Sequence, residues 1–395
     1  MREFHRLIST ERALIRLWIA SCAIALWIFV SGCSLPRVSA EERIFLNVSL
    51  DFLDAYELPS TEFETTPVRG LSGITYDRER DRLYAVSDDR GDRAPARFYT
   101  LKLTVSQTDD NRPCIDEVEV ETVTFLLNET GDTFPSGTID PEGIALSPRQ
   151  SVFISSEGVA DDGISPFIDE FDLETGQWKS RLPIPDRYRP HTVDDQAQGV
   201  RDNRGFEALT LKAAGFQSGE PFRVFSAIEE PLQQDPLPED DEQPSPGRIL
   251  HYVVGDGRSL LIAENLYPIE PKPSGAVING LVELVALDLG GHFLSLERSF
   301  GIFGNGARIF QIAMGGATDT SGMTQFGTNL SNVQPVQKRL LLDLTDLDIP
   351  LDNLEGMTLG PRLPDGTQSV LLVSDDNFSE TQVTQFLLFR LQGVQ

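Results

Sequence analysis

An all-β fold, a β-propeller of four-stranded antiparallel blades, is predicted by three features of this sequence. One short pattern recurs five times: a small or acidic residue, then Gly, Ala or Leu, an apolar run, a turn, and a second run ending in acid. Each copy is followed by room for two further strands. No long 3.6-residue periodicity competes, so helix content is expected to be low. A fixed motif with a drifting period indicates supersecondary repeats with variable loops. Four-stranded antiparallel units arranged radially make a propeller.

The copies run in order as follows. Leu71-Ser-Gly-Ile-Thr-Tyr76 is answered by Leu83-Tyr-Ala-Val-Ser-Asp-Asp89, and Pro141-Glu-Gly-Ile-Ala-Leu146 by Val152-Phe-Ile-Ser-Ser-Glu157. Phe206-Glu-Ala-Leu-Thr-Leu211 is answered by Phe222-Arg-Val-Phe-Ser-Ala-Ile-Glu229, and Val282-Glu-Leu-Val-Ala-Leu287 by His292-Phe-Leu-Ser-Leu-Glu297. The last, Asp352-Asn-Leu-Glu-Gly-Met-Thr-Leu359, is answered by Gln368-Ser-Val-Leu-Leu-Val-Ser-Asp-Asp-Asn-Phe378. Taking Gly73, Gly143, Ala208, Leu284 and Gly356 as equivalents, the steps are 70, 65, 76 and 72 residues. Further strands are expected over 97–103 and 117–126, 167–173 and 177–182, 248–254 and 259–266, 307–314 and 338–344, and 383–391. The fifth unit then lacks one strand, which residues 44–52 from the N-terminal side would supply, hiding both sheet edges. Five blades are expected, with loops long enough to conceal a sixth. Pro231–Gly247, rich in Pro, Asp and Glu, reads as a solvated loop, and Gly301–Gly322 as a second loop system with a strand inside it.

Residues 1–40 read as an export signal: Arg2, Arg6, Arg12 and Arg16 precede an apolar run from Leu17 to Val30, short for a membrane span. Two cleavage sites compete. Val30-Ser-Gly-Cys33 resembles a lipobox that would lipidate Cys33, and Val38-Ser-Ala40 suits ordinary signal peptidase; an uncleaved anchor is the remaining alternative. The expected location is therefore the periplasm or cell envelope as a lipoprotein, or alternatively the medium. The body, residues 41–395, is expected to be one domain and a monomer, touching membrane only through such an anchor.

Charge narrows the partners. The chain carries a formal −28, which argues against nucleic acid or an anionic membrane surface. Small cations, or anions delivered with cations, suit it better; a merely soluble acidic exoprotein is the plainer alternative. Cys22 and Cys33 fall in the leader, leaving Cys114 alone in the body, so no internal disulfide can form there. Zinc-site spacings are absent.

On a propeller, the residue starting each innermost strand and the residue closing the next share one rim. That brings Glu142, Glu207, Glu283 and Glu355 towards Asp88, Asp89, Glu157, Glu229, Glu297, Asp375 and Asp376. Crowded carboxylates bind cations or take up protons, and hard oxygen ligands favour Ca²⁺, with Mg²⁺ as the alternative. The candidate ligands are Asp88, Asp89, Glu142, Glu157, Glu207, Glu297, Glu355, Asp375 and Asp376. The alternative is structural, each strand-starting Glu bonding backbone amides of the next blade. Ser72 stands where the other copies carry Glu; it is no nucleophile elbow, lacking G-x-S-x-G. His191, His251 and His292 lie in different repeats, so no Ser/His/Asp constellation emerges and the catalytic residues stay unknown. Arg90, Arg93, Arg204 and Arg298 flank the acids. Guanidinium forks beside cations suit a phosphate ester, with Arg204 and Arg298 the candidates for binding it; rim salt bridges are the ordinary alternative.

Asn203-Arg-Gly-Phe-Glu-Ala-Leu209, Phe293-Leu-Ser-Leu-Glu-Arg-Ser299, Asp352-Asn-Leu-Glu-Gly356 and Leu372-Val-Ser-Asp-Asp-Asn-Phe378 resemble the bacterial phytase-like family, described as having esterase-like activity of phytase. The resemblance runs from about Gly70 to Leu391. It implies a secreted or lipid-anchored propeller that hydrolyses phosphate or other esters. Ala208 departs from the glycine usual after the third-repeat Glu, and Ser72 from Glu, so uniform metal ligation around the ring is not implied. The expected function is an exported, metal-assisted phosphoesterase of phytase-like type. The alternative is a non-catalytic binding or scaffold propeller at the envelope.

Overall fold

Five four-stranded antiparallel sheets carry the chain. The computed structural model describes residues 44–393 apart from 214–219, 239, 241 and 288–289; the leader, with Cys33 and both cleavage sites, lies outside the described residues. The first blade runs outward through Leu71–Asp77, Arg82–Ser87, Arg97–Gln107 and Pro113–Phe125. The second comprises Pro141–Ser147, Ser151–Ser156, Phe167–Asp172 and Trp178–Arg181. The third comprises Phe206–Ala213, Phe222–Ile228, Ser245–Gly255 and Arg258–Ile269, and the fourth Ala276–Ala286, His292–Gly301, Gly304–Ala313 and Gln337–Asp343. The fifth holds Asn353–Arg362, Gln368–Asp375 and Thr384–Gln392, and its outer strand is Ser49–Leu58 from the N-terminal side.

That last pairing sets Ser49 against Gln392 and Leu58 against Thr384, closing the ring as expected, with the strand a few residues later than 44–52. Closure leaves neither end of the propeller sequence as a free inner edge. Among the described residues between Ser49 and Gln392, helical structure is confined to three single-turn 3₁₀ segments. The loop expected to end at Gly247 stops sooner, because Ser245 already pairs with Ile269. Within Gly301–Gly322, the expected strand is the third strand of the fourth blade.

Side chains alternate along a strand, and a strand buried on both faces reads as a near-continuous apolar run. Val370-Leu-Leu-Val373 shows the result. Val370 and Leu372 pack with Leu294 and Leu296 of the fourth blade, while Leu371 and Val373 pack with Ile74 and Leu83 of the first. Further clusters join the first blade to the second, the second to the third, and the third to the fourth. The core is thus a set of inter-blade seams, each fully buried Leu or Val contributing about 1.5–3 kcal/mol.

One local feature repeats in every blade. The innermost strand has an extra residue near its start, a β-bulge. In the first blade Leu71 pairs with Ser87 and Gly73 with Val86, leaving Ser72 between them. In the fifth, Leu354 pairs with Ser374 and Gly356 with Val373, leaving Glu355. In the fourth, Leu281 pairs with Glu297 and Glu283 with Leu296, leaving Val282. The same shift falls between Pro141 and Ile144 and between Phe206 and Leu209. Bulges re-aim side chains next to functional sites. Here the bulges of the second, third and fifth blades place Glu142, Glu207 and Glu355 in one cavity.

Candidate functional site

The bulge sets the equivalences around the rim. Ser72, Glu142, Glu207, Val282 and Glu355 occupy the bulge itself. Asp88, Glu157, Glu229, Arg298 and Asp375 each follow the second-strand residue that pairs with the position just before the bulge, namely Ser87, Ser156, Ile228, Glu297 and Ser374. The fourth repeat is therefore one residue out of the expected alignment. Glu283 falls where the other blades have Gly73, Gly143, Ala208 and Gly356, and Glu297 falls where they have Ser87, Ser156, Ile228 and Ser374. A slip of one residue exchanges the faces of a strand, so the fourth blade gives the cavity Arg298 in place of an acid, while its bulge residue Val282 is buried in the apolar seam with the fifth blade.

These residues surround a cavity of about 460 Å³, lined by Asp88, Glu142, Glu207, Glu355 and Asp375 together with Arg204 and Arg298. Asn203, Asn353, Asn377, Thr381 and Gln382 add neutral polar groups, and Ile278, Phe300 and Asn305 complete the wall. Charge is divided across it. On the side of the first three blades, Asp88, Asp140 and Glu142 bring carboxylate oxygens within 4.8 Å of one another, and so do Glu142, Glu157 and Glu207. On the other side Arg298 donates to Glu229 Oε1 at 2.9 Å and to Asn353 Oδ1 at 3.1 Å, and lies 3.3 Å from Glu355. Arg204 donates to Glu229 Oε2 at 3.1 Å and pairs with Glu230 at 3.3 Å.

The acidic half is short of donors. Asp140 is fully buried and accepts from Arg90 at 2.5 Å through Oδ2, leaving Oδ1 without a partner. Glu157 is buried too; one oxygen accepts from the Gly205 amide and Oε2 has no partner. An unpaired buried carboxylate oxygen is costly. Burial, and then the charges of Asp140, Asp375 and Glu355, push Asp88 well above the usual carboxylate range. Burial together with Asp88 and Glu207 does the same to Glu142. Glu157 is raised by burial, Asp140 and Glu229, and Glu207 by burial, Glu157 and Glu229. Asp375 is raised by burial and Glu355. Glu355 is raised as well, chiefly by burial, with Arg298 opposing. The group therefore favours protons or cations, and its all-oxygen donors suit a hard divalent ion. These residues could hold a metal.

Three expected ligands lie elsewhere. Asp89 accepts from the amides of Gly91, Asp92, Arg93 and Ala94 at 2.9–3.1 Å and from buried Arg97 at 2.8 Å. Burial alone would raise its pKa; Arg97 and those amides outweigh burial and hold it below the usual range. Asp376 accepts from Arg69 at 2.7 Å, from the Gly70 and Phe378 amides at 3.0 Å, and from Thr384 at 3.2 Å. Strand alternation explains both, since Asp88 and Asp375 face the cavity and the next residue faces away. Glu297 is occupied between strands by Tyr267 at 2.9 Å, Asn279 at 3.0 Å and Lys338. Glu283 follows the structural alternative: it accepts from the Leu209 amide at 3.1 Å and from its own Leu284 amide at 2.8 Å. Asp140 was missed because its counterparts are Gly70, Gly205, Gly280 and Asn353, so no repeat signal marked it. Arg90, which also donates to Asn203 at 2.7 Å, is spoken for by Asp140. Ser72 donates to the Glu142 carbonyl at 2.9 Å, a blade-to-blade tie.

Loose matches to solved structures accompany this geometry. The endo-arabinase of Bacteroides thetaiotaomicron VPI-5482 aligns over 83% of this chain and 97% of its own at 12% identity, with a TM-score of 0.38. A thermostable family-43 glycoside hydrolase aligns over 85% and 92% at 9% identity, TM-score 0.42, and the N-terminal domain of Nup159 over 88% and 96% at 10%, TM-score 0.29. Likeness at this level says nothing of ligand or reaction. Among curated proteins no sequence matches. The family comparison is decisive: the sequence model of the Phytase-like family, described as esterase-like activity of phytase, matches residues 66–378, and the chain belongs to that family.

Proposed function

We propose that this protein is an exported hydrolase of phosphate esters, assisted by a divalent cation, Ca²⁺ by preference and Mg²⁺ as the alternative. The observation that carries the reading is the pair of buried, unpartnered oxygens, Asp140 Oδ1 and Glu157 Oε2, in carboxylate groups that share Glu142 and face two arginines across one cavity. Asp88, Asp140, Glu142, Glu157 and Glu207 would hold the cation. When bound, it would supply Lewis-acid charge neutralisation and lower the pKa of water. Arg298, fixed by Glu229 and Asn353, would orient the anionic group, and Arg204 would help from the third blade. Glu355 and Asp375, between the two halves, would complete the cation's surroundings or carry a proton.

The family description supports ester hydrolysis, and the acidic surface fits a small anion that arrives with its cation. A non-catalytic envelope propeller is the second reading. It is favoured by the structural engagement of Asp89, Asp376, Glu283 and Glu297 described above. Phosphate release from p-nitrophenyl phosphate, with Ca²⁺ and then with a chelator, separates the two. Chelator-sensitive turnover is expected; no turnover under any divalent metal would leave the binding propeller. Mass spectrometry of the mature N-terminus tests export, with a lipidated Cys33 or a chain beginning at Glu41 as the expected products.

A further inference from the structure

The fourth blade builds something above the rim that the other blades lack. Its inner strand begins at Ala276, five residues before Leu281, whereas the equivalents of Leu281 in the first three blades, Leu71, Pro141 and Phe206, are the first residues of their strands. The neighbouring strand continues through Arg298 to Gly301 and returns at Gly304. The extension carries a cross-strand row in which Ile278 pairs with Phe300 and Phe300 with Asn305, and all three line the cavity. Phe300 is 47% exposed, and around it Val277, Ile302 and Phe303 are 59%, 79% and 82% exposed. Facing this wall are Asp88, Glu142 and Glu207 of the first three blades, with polar Asn377, Thr381 and Gln382 of the fifth beside it.

Resting on the phosphate-ester reading of this cavity, we infer that the substrate is a monoester of an apolar alcohol, its alkyl or aryl group covering Ile278 and Phe300. Three observations converge. The wall is apolar and stands beside Arg298, so a phosphoryl group at the arginine leaves its alcohol next to Phe300. Contact with such a group removes apolar surface of Phe300 and Ile278 from water. The rest of the lining has five carboxylates against two arginines, both arginines already paired. An inositol polyphosphate would set its further phosphates against those acids, a repulsion a single phosphate beside the cation and Arg298 avoids.

The test compares hexyl phosphate with glycerol 1-phosphate, both primary-alcohol monoesters, and with phytate, on the full protein in millimolar Ca²⁺. The expected kcat/KM ratio of hexyl to glycerol ester is about tenfold or more, with phytate below both. Phe300→Ser should collapse that ratio toward one, while Leu260→Ser, an exposed apolar position outside the cavity, should leave it unchanged. A wild-type ratio near one, a ratio indifferent to Phe300→Ser, or phytate as the best substrate would overturn the inference. Should no ester turn over, hydrolysis itself fails and calorimetric binding of hexylphosphonate against methylphosphonate decides the subsite. A Phe300-dependent preference for the hexyl compound supports it, and equal affinity or no binding overturns it.

Discussion

Asp88 and Asp89 are neighbours in sequence with opposite duties. Asp88 faces the cavity among other carboxylates, while Asp89 anchors the loop to Arg97 through four backbone amides and an ion pair. Asp89→Asn should cost about 3 kcal/mol, because it uncovers a fully buried arginine, and should leave the Ca²⁺-induced rise in melting temperature intact. Glu142→Gln should do the reverse. It relieves repulsion from Asp88 and Glu207, so the metal-free protein melts higher, and it abolishes the rise with Ca²⁺. Thermal melts of both variants with and without Ca²⁺ check the pair. A metal response lost in Asp89→Asn and kept in Glu142→Gln would reverse the assignment. Arg298→Gln strands Glu229 and Glu355 and should lower urea stability by about 3 kcal/mol.

At the level of the strand, the bulge and the residue after it govern the site together. A Cβ on Gly143 would lie 2.5 Å from the Glu207 carbonyl oxygen and 2.7 Å from Leu209 Cβ, so the inner strands of adjacent blades approach there too closely for a side chain. Gly143→Ala should therefore cost about 2 kcal/mol through overpacking. Gly315→Ala, with nothing within 4 Å of its added Cβ, should change stability by less than about 0.5 kcal/mol. Urea titration reads both, and equal effects would remove the close approach as the cause. Glu283 stands at this same position in the fourth blade, and its carboxylate is taken up by the Leu209 and Leu284 amides. The motif's Glu-then-small order was readable in three copies. In the fourth, Val282-Glu283-Leu284 offered an acid one step late, and only strand pairing shows which residue is bulged.

Over the whole molecule, the cavity carboxylates give stability a distinctive pH dependence. Their folded pKa values lie above those of the unfolded chain, so the folded state binds more protons at and above the ordinary carboxylate range. Stability is then greatest below the unfolded values and is lost as pH rises through the folded ones. His292, lowered by burial and Lys212, opposes this, and so does His251. Burial and Arg223 hold the folded pKa of His251 down to about 4, so its contribution is lost as pH falls from about 6.5 through that value. The carboxylates are more numerous and should dominate above pH 5. The metal-free protein should melt higher at pH 5 than at pH 8, and Ca²⁺ should flatten that slope by replacing protons. A melting temperature that climbs with pH in chelator would show that the cluster is ionised and already compensated.

The repeat, the all-β class and the closure of the fifth blade by an N-terminal strand were legible because strand patterning and spacing are local properties of the chain. Six of the nine expected ligands, Asp88, Glu142, Glu157, Glu207, Glu355 and Asp375, fall in the rim group for the same reason: each closes or opens a strand that repeats. Of the other three, Asp89 is taken up by the loop just after it and by Arg97, while the fate of Asp376 and Glu297 turned on contacts far along the chain. Asp376 is claimed by Arg69, 307 residues away, and Glu297 by Lys338 on another strand of its blade. Asp140 joined the group through a position that is Gly or Asn elsewhere. Arg298 took an acid's place only once a one-residue bulge had been counted. Alternation along a strand makes a single residue of register decide between cavity and core, and register is set by pairing across the sheet. Composition and motif thus established an acidic propeller rim; the tertiary structure divided it into a carboxylate half and an arginine half.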